Sequence, residues 1–98
     1  MKWCEAYIQM KDNNAFVRRA SWGTKYLMWL KPAIRIKASW CRDKQLKTLV
    51  NKFGHMLDGE QILRCYDAFC LYDGYAVKTG FELRREDRVA EDWEVIEL

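Results

Sequence analysis

The chain has 98 residues, half of them hydrophobic and 14% aromatic, and it carries a formal net charge of +3. This length fits one domain with one small core, and the composition excludes a disordered chain. No segment approaches the roughly 18 apolar residues of a membrane span, and the start of the chain lacks the pattern of a signal peptide. We therefore expect a cytoplasmic protein.

The four cysteines could in principle form two disulfides. No C-x-x-C pair occurs, and cytosolic thiols stay reduced. We predict buried structural thiols and no metal site at these positions: Cys4, Cys41, Cys65 and Cys70.

Charge is distributed unevenly along the chain. Met1–Thr48 contains eleven Lys and Arg against three acidic residues, whereas Glu82–Leu98 contains seven acidic residues against three Arg. This asymmetry favours one face for an anionic ligand and another for a neutral or self partner. The alternative is that both are ordinary solvated faces.

The first predicted element is a helix over Lys2–Lys11, because apolar residues recur there at helical spacing. The sequence Asp12-Asn13-Asn14 ends it, since Asn tolerates the left-handed conformation. A helix this short is not stable alone, so it must lie on a sheet. The apolar stripe consists of Trp3, Ala6, Tyr7 and Met10.

Two strands joined by a tight turn follow the helix. Phe16–Trp22 alternates so that Arg18 and Arg19 point to opposite faces, and the arginine on the core face must find an anion or a hydrogen-bonding network. The turn is Ser21–Thr24, in which Gly23 is able to take a positive φ. The return strand, Lys25–Lys31, is apolar on both faces and is therefore central in the sheet or covered at an interface.

A further strand over Ile34–Ala38 presents Arg35 and Lys37 to solvent, and the best helix of the chain then spans Ser39–Gly54. Ser39 or Asp43 caps this helix and Gly54 ends it. Its apolar stripe is Leu46, Leu49, Val50 and Phe53.

The pattern in the last third of the chain predicts strands. Leu63–Tyr72 is apolar, Asp73-Gly74 is a hairpin signal, and Trp93–Leu98 is a closing strand. These patterns predict an α+β fold within a single domain, residues 1–98. The expected architecture is a small twisted antiparallel sheet with the N-terminal helix and one middle helix packed on it.

No catalytic or phosphate-loop motif is present, and His55 reads as a surface or helix-capping residue. Asp87, Glu91 and Asp92 could form an acid/base group, but they lie in a turn where Asp commonly caps. We predict a binding protein that is not an enzyme and needs no cofactor.

Cations alternate with aromatic residues on the first strands, which is the combination that nucleotide binding requires. The aromatic residues could equally form the core. A small basic module for nucleic acid or a host protein is the alternative function. The residues concerned are Arg18, Arg19, Lys25, Arg35 and Lys37, with Trp22, Tyr26 and Trp29.

Two blocks of the sequence together resemble the phage-encoded Thoeris anti-defence protein 2 family. One is the N-terminal run Trp3–Leu30, centred on Val-Arg-Arg-Ala-Ser-Trp. The other is the ending Ala-Glu-Asp-Trp-Glu-Val, which begins at Ala90 and is preceded by Asp73-Gly74 and Asp87. By position, Arg19, Trp22, Asp87, Asp92 and Trp93 match residues of the family pattern.

The resemblance implies a sponge that sequesters cyclic nucleotide immune signals without cleaving them, acting in the host cytoplasm as a homo-oligomer, typically a tetramer. The signals are cyclic ADP-ribose isomers or cyclic dinucleotides. The chain departs from the family in its middle helix, Asp43–Phe53, and in carrying Arg84 and Arg85 where small polar residues are usual. These extra arginines favour cyclic di- or oligonucleotides. We do not expect general nucleic-acid binding. The predicted ligand-binding residues are Arg19, Trp22, Tyr26, Arg84, Arg85, Asp87 and Asp92.

Overall fold

The computed structural model describes residues 1–98 and confirms the α+β class, with three α-helices and eight strands. The helices are α1 (Trp3–Asn13), α2 (Lys44–Phe53) and α3 (Arg85–Val89), and a 3₁₀ turn spans Ala38–Trp40. The strands are β1 (Phe16–Arg19), β2 (Leu27–Lys31), β3 (Ile34–Lys37), β4 (His55–Leu57), β5 (Glu60–Cys65), β6 (Ala68–Tyr72), β7 (Val77–Thr79) and β8 (Trp93–Ile96). None of the helices has both the length and the apolarity that crossing a membrane requires.

The strands form two antiparallel sheets, where the sequence suggested one. A five-stranded sheet has the order β7-β6-β2-β1-β8, and a three-stranded sheet has the order β3-β5-β4. The chain accordingly divides into two compact units, one of residues Met1–Pro32 and Ala68–Leu98 and the other of residues Ala33–Asp67. The middle helix α2 packs against β5 of the smaller sheet. Alternation along a strand shows which side chains share a face but not which strand lies beside it.

The core of the first unit lies between α1 and the five-stranded sheet. Ala6 and Met10 of α1 are buried, as the apolar stripe predicts, against Val17, Met28 and Trp93 of the sheet. The helix ends where expected, at an Asn14 in the left-handed conformation with a φ of 52°. Strand β2 is central in its sheet, which explains why both of its faces are apolar.

The connection between β1 and β2 differs from the predicted tight turn. Strand β1 ends at Arg19, and two successive turns follow: the Trp22 N–H donates to the Arg19 carbonyl (3.0 Å), and the Tyr26 N–H donates to the Gly23 carbonyl (3.0 Å). Gly23 does not use its ability to take a positive φ. A connection of this length does not need the backbone conformation that a two-residue hairpin requires.

Alternation along the strand predicted that Trp22 shares a face with Arg18. Because the strand ends at Arg19, Trp22 does not follow this alternation. The structure packs it instead against Trp93, with ring centroids 5.2 Å apart at 77°. Trp22 therefore joins the face of the sheet that carries the core.

Two Asp-Gly turns close hairpins, and one of them, Asp73-Gly74, was predicted from the sequence. At Asp73-Gly74 the Asp73 carboxylate accepts from the N–H groups of Tyr75 and Ala76, which lowers its pKa, and Gly74 has a φ of 93°. The second turn, Asp58-Gly59, joins β4 and β5 with both residues at positive φ (55° and 79°). This is the type I′ geometry that Asp-Gly favours.

The middle helix is shorter than predicted. After the 3₁₀ turn, α2 begins at Lys44, where the Asp43 carboxylate accepts from the Gln45 and Leu46 N–H groups (2.9 and 3.1 Å). Asp43 is therefore the cap, and Ser39 is not. Of the predicted stripe only Val50 is fully buried, while Leu49 and Phe53 are exposed.

Two other sequence predictions need correction. The apolar run Leu63–Tyr72 is two strands in different sheets, interrupted at Tyr66 and Asp67. Among the cysteines, Cys70 is buried, Cys41 and Cys65 are half-buried, and Cys4 is exposed on α1, so the prediction of buried thiols is wrong for Cys4.

The chain leaves the larger unit after Pro32 and returns to it at Ala68. In the larger sheet Lys31 lies opposite Ala68, and in the smaller sheet Ile34 lies opposite Cys65. The smaller unit is therefore an insertion of 35 residues between two paired strands of the larger one.

We expect calorimetry to show one cooperative unfolding transition for the whole chain, as the predicted single domain requires. A unit of 35 residues without disulfides is below the size that usually folds alone. The unfolding enthalpy near 60 °C should be about 70 kcal/mol, the value for about 100 residues. Two resolved transitions, each with a fraction of that enthalpy, would contradict the single-domain prediction.

Candidate functional site

The candidate site is built around Arg19, at the end of β1. Its Nε donates to Asp92 Oδ1 and its Nη1 donates to Asp87 Oδ1, both at 2.8 Å. One guanidinium thus joins β1, the first turn of α3 and the segment before β8.

Local structure brings these three residues together. In the β1–β8 ladder Arg19 lies opposite Trp93, so Asp92, one residue earlier, is beside it. Asp87 is held in α3 by its own contacts: its Oδ2 accepts from the Arg84 N–H (3.2 Å), and its carbonyl accepts from the indole Nε1–H of Trp93 (2.8 Å).

Because Asp87 and Arg19 are largely buried, each of their charges needs a partner of opposite charge. The Asp87 side chain is only 8% exposed and that of Arg19 is 19% exposed, so either charge alone would be poorly solvated. Hydrogen bonding raises the pKa of Arg19, with the larger effect from Asp92 and the smaller from Asp87. The bond from Arg19 in turn lowers the pKa of Asp92. The prediction that a core-facing arginine must find an anion is confirmed, and the anions belong to the chain itself.

Arg18, on the opposite face, is neutralised in the same way. Its Nε donates to Glu94 Oε1 (3.2 Å) and its Nη1 donates to the Thr24 carbonyl (2.9 Å). The structure therefore does not present Arg18 and Arg19 as free cations. Arg35 and Lys37 lie on β3, in the other compact unit.

A cavity of about 430 Å³ opens beside Arg19. Trp22 is its central aromatic side chain, held edge-on by Phe81 (6.1 Å between centroids) and near Tyr26 (6.4 Å). The volume of the cavity falls within the range that is typical of small-molecule pockets, about 300–1,000 Å³. The residues lining it are Arg19, Ser21, Trp22, Gly23, Tyr26, Leu71, Phe81, Arg84, Glu86 and Asp87.

Several hydrogen-bonding groups around the cavity have no partner in the chain. Arg19 uses Nε and Nη1, which leaves Nη2 free, and the side chains of Arg84 and Glu86 make no hydrogen bond or ion pair. The two arginines of the lining are balanced by Glu86 and Asp87. The cavity thus combines an aromatic wall with both donors and acceptors at no net charge.

Five of the seven predicted ligand-binding residues line this cavity: Arg19, Trp22, Tyr26, Arg84 and Asp87. Asp92 contacts Arg19 without lining the cavity, and Arg85, although adjacent to Arg84, does not line it. Phe81 and Glu86 were not among the predicted residues. Phe81 reaches the site because the N–H groups of Gly80 and Phe81 both donate to the Phe69 carbonyl (2.9 Å each), a contact that no local pattern indicates.

We expect Asp87→Ala to destabilise the protein by about 3 kcal/mol, because it leaves the half-buried Arg19 short of a partner and removes the acceptor of the Arg84 N–H. Urea unfolding measures the loss. The matched control is Glu86→Ala, an exposed and unpartnered acid on the same helix, which should change the free energy of unfolding by less than about 0.5 kcal/mol. Equal effects of the two substitutions would show that the ion pair contributes nothing.

Comparison with known proteins confirms the family resemblance. The family model described as a Thoeris anti-defense 2-like domain matches residues 1–96, which covers both compact units. No curated protein matches the chain significantly. The family match supports a phage anti-defence function directed at the Thoeris system, and the family is not known for enzymatic activity. The chain therefore belongs to the Thoeris anti-defense 2-like family.

Proposed function

We propose that the protein is a sponge that binds a cyclic nucleotide immune signal in the cavity beside Arg19 and sequesters it without cleaving it. The family supports an anti-Thoeris function and suggests a small-molecule signal as the partner. The observation that carries the proposal is the cavity itself, in which an aromatic wall lies next to two guanidinium groups with free donors.

Each part of the cavity suits one part of a nucleotide. Trp22 and Tyr26 offer faces for stacking a base, a contact worth about 1–3 kcal/mol per base. Trp22 is held in place by Trp93 and Phe81, so it can provide a stacking face without first being ordered. The exposed carboxylate of Glu86 can accept a hydrogen bond from a ribose hydroxyl.

Arg84 is the main phosphate ligand in this proposal. Its guanidinium is exposed and unpaired, so all of its donors are available, whereas Arg19 already donates from Nε to Asp92 and from Nη1 to Asp87. Planar guanidinium groups bind phosphate oxygens in pairs. The predicted role of Arg19 thus becomes mainly one of holding the site together.

The charge balance of the lining favours a ligand with few, closely spaced phosphates. The two arginines that suggested a more highly phosphorylated ligand are separated by the structure, since only Arg84 lines the cavity and Glu86 accompanies it. A pyrophosphate is compact enough for one guanidinium to contact both of its phosphates. We therefore place cyclic ADP-ribose isomers ahead of cyclic di- and oligonucleotides.

Calorimetric titration with these ligand classes tests the proposal. We expect Arg84→Gln to weaken binding about ten- to a hundredfold, because it removes a charge-assisted hydrogen bond worth about 1.5–3 kcal/mol. The control is Arg85→Gln, which removes the same charge one residue outside the cavity and should change affinity less than twofold.

Two results of this titration would count against the sponge. Heat from none of the ligands would remove the proposed binding activity. Recovery of cleaved products, where a sponge returns its ligand intact after heat denaturation, would identify an enzyme.

The same proposal includes a homo-oligomer, with a tetramer as the expected state. Large apolar side chains of the inserted unit are exposed in the single chain, among them Trp40, Leu49 and Phe53. Such side chains are typical of surfaces that another chain covers.

We expect light scattering to give about four times the chain mass of 11.8 kDa. Phe53→Glu should shift the mass towards that of the monomer, because it places a charge in the covered surface. The control Val77→Glu, at an exposed apolar position of β7, should leave it unchanged. A stable monomer at micromolar concentration would contradict the oligomer.

A further inference from the structure

We propose that Arg35, Arg64 and His55 form a second anion site, on the three-stranded sheet, that binds the phosphate group of a nucleotide or polynucleotide. This site shares no residue with the cavity beside Arg19, and its argument does not rest on the function proposed for that cavity.

Strand register places the three cationic or donor side chains together. In the β3–β5 ladder Arg35 lies directly opposite Arg64, and in the β4–β5 ladder His55 lies opposite Ile62. Ile62 and Arg64 are two residues apart on β5, so they and their partners share one face of the sheet. Directly opposed side chains have Cβ atoms about 4.5–5.5 Å apart.

Two arginines at this distance repel each other unless an anion lies between them. The chain provides none, since every ion pair in the structure involves Arg18 or Arg19. Neither Arg35 nor Arg64 makes a side-chain hydrogen bond, and both are exposed. The arrangement is therefore unfavourable in the isolated chain and becomes favourable when an anion bridges the pair.

The acidic residue on the same face of β5 is too far away and is already used. Glu60 is four residues from Arg64, about 14 Å along an extended strand. Its Oε1 accepts from the Ser39 N–H (2.9 Å), and hydrogen bonding from Ser39, with a smaller contribution from Lys37, lowers its pKa.

The site is concave and partly apolar. Together with Met56, Leu57 and Ile62, the three residues line a cavity of about 270 Å³. Two guanidinium groups and an imidazole can donate to several oxygens of one phosphate. The apolar side chains beside them can contact a sugar or a base, which favours a phosphate ester over a bare inorganic ion.

The net charge of the smaller unit also favours anion binding. Residues 33–67 contain seven basic and four acidic residues, a net charge of +3, whereas the rest of the chain contains ten of each. The entire net charge of the protein therefore lies on the unit that carries this site. Such a field attracts anions and raises their rate of association.

Titration of the ¹⁵N-labelled full chain with pyrophosphate, ADP and a short single-stranded oligothymidylate tests the inference by NMR. We expect saturable shifts in the backbone amides of residues 35, 55–57 and 62–64. ADP binding at least as tight as that of pyrophosphate supports a free nucleotide. Tighter oligothymidylate binding with a steep salt dependence supports a polynucleotide as the source of the phosphate.

Substitutions separate the site from general charge attraction. Arg35→Gln with Arg64→Gln should weaken pyrophosphate binding at least tenfold, and the spectrum of the double variant shows whether it folds. Arg64→Gln alone provides a second, milder test. Arg42→Gln lowers the charge of the same unit from an exposed position outside the cavity and should change affinity less than twofold.

Two results would overturn the inference. One is the absence of saturable shifts at these residues with any of the three probes. The other is an equal loss of affinity in Arg42→Gln and the double variant. Arg84→Gln, in the other cavity, should leave these shifts unchanged, so failure of one site is distinguishable from failure of the other.

Discussion

The first unit depends on a single guanidinium that satisfies two carboxylates. Arg19 sits on the core face of its sheet, where an unpaired charge would be costly, and Asp87 and Asp92 come to it from the other end of the chain. The same contacts place the first turn of α3 next to the turn that carries Trp22. The walls of the cavity are therefore positioned by an ion-pair network as well as by apolar packing.

This network also shows why net charge is a poor guide to where an anion binds. The N-terminal half of the chain is strongly basic, yet its two adjacent arginines are both neutralised by acids from the C-terminal end. The asymmetry seen along the sequence thus largely cancels inside the larger unit. The charge that remains unbalanced is on the inserted unit, whose arginines have no acidic partners.

Local signals in the sequence predicted the local structure well. The stripe of α1, its end at Asn14, the Asp73-Gly74 hairpin and the central position of β2 all follow from patterns within about ten residues. That one of the two adjacent arginines needs a partner was also predictable, because alternation in β1 places one of them on the core face, but alternation alone did not identify it as Arg19. Features that depend on contacts between distant residues were not predictable in this way. Examples are the division into two sheets and the position of Phe81 in the wall of the cavity.

Trp22 illustrates the boundary between the two cases. Its presence at the site was predicted, but its side of the sheet was not, because the strand ends three residues earlier than its apolar pattern does. The strand ends where the Trp22 N–H donates to the Arg19 carbonyl (3.0 Å) in a turn, although the Ala20 N–H still continues the pairing with β8 by donating to the Asp92 carbonyl (2.9 Å). Such a contact between residues 72 positions apart leaves no trace in local periodicity.

The insertion of the smaller unit between strands β2 and β6 has a consequence for the order of folding. Pairing Lys31 with Ala68 in an otherwise unfolded chain closes a loop of 36 residues, whereas prior pairing of Ile34 with Cys65 reduces the effective loop to four. The logarithmic dependence of closure entropy on loop length makes the difference about 2 kcal/mol. The insertion can thus act as a nucleus: once β3 and β5 have paired, strands β2 and β6 of the larger sheet are brought together at little further entropic cost.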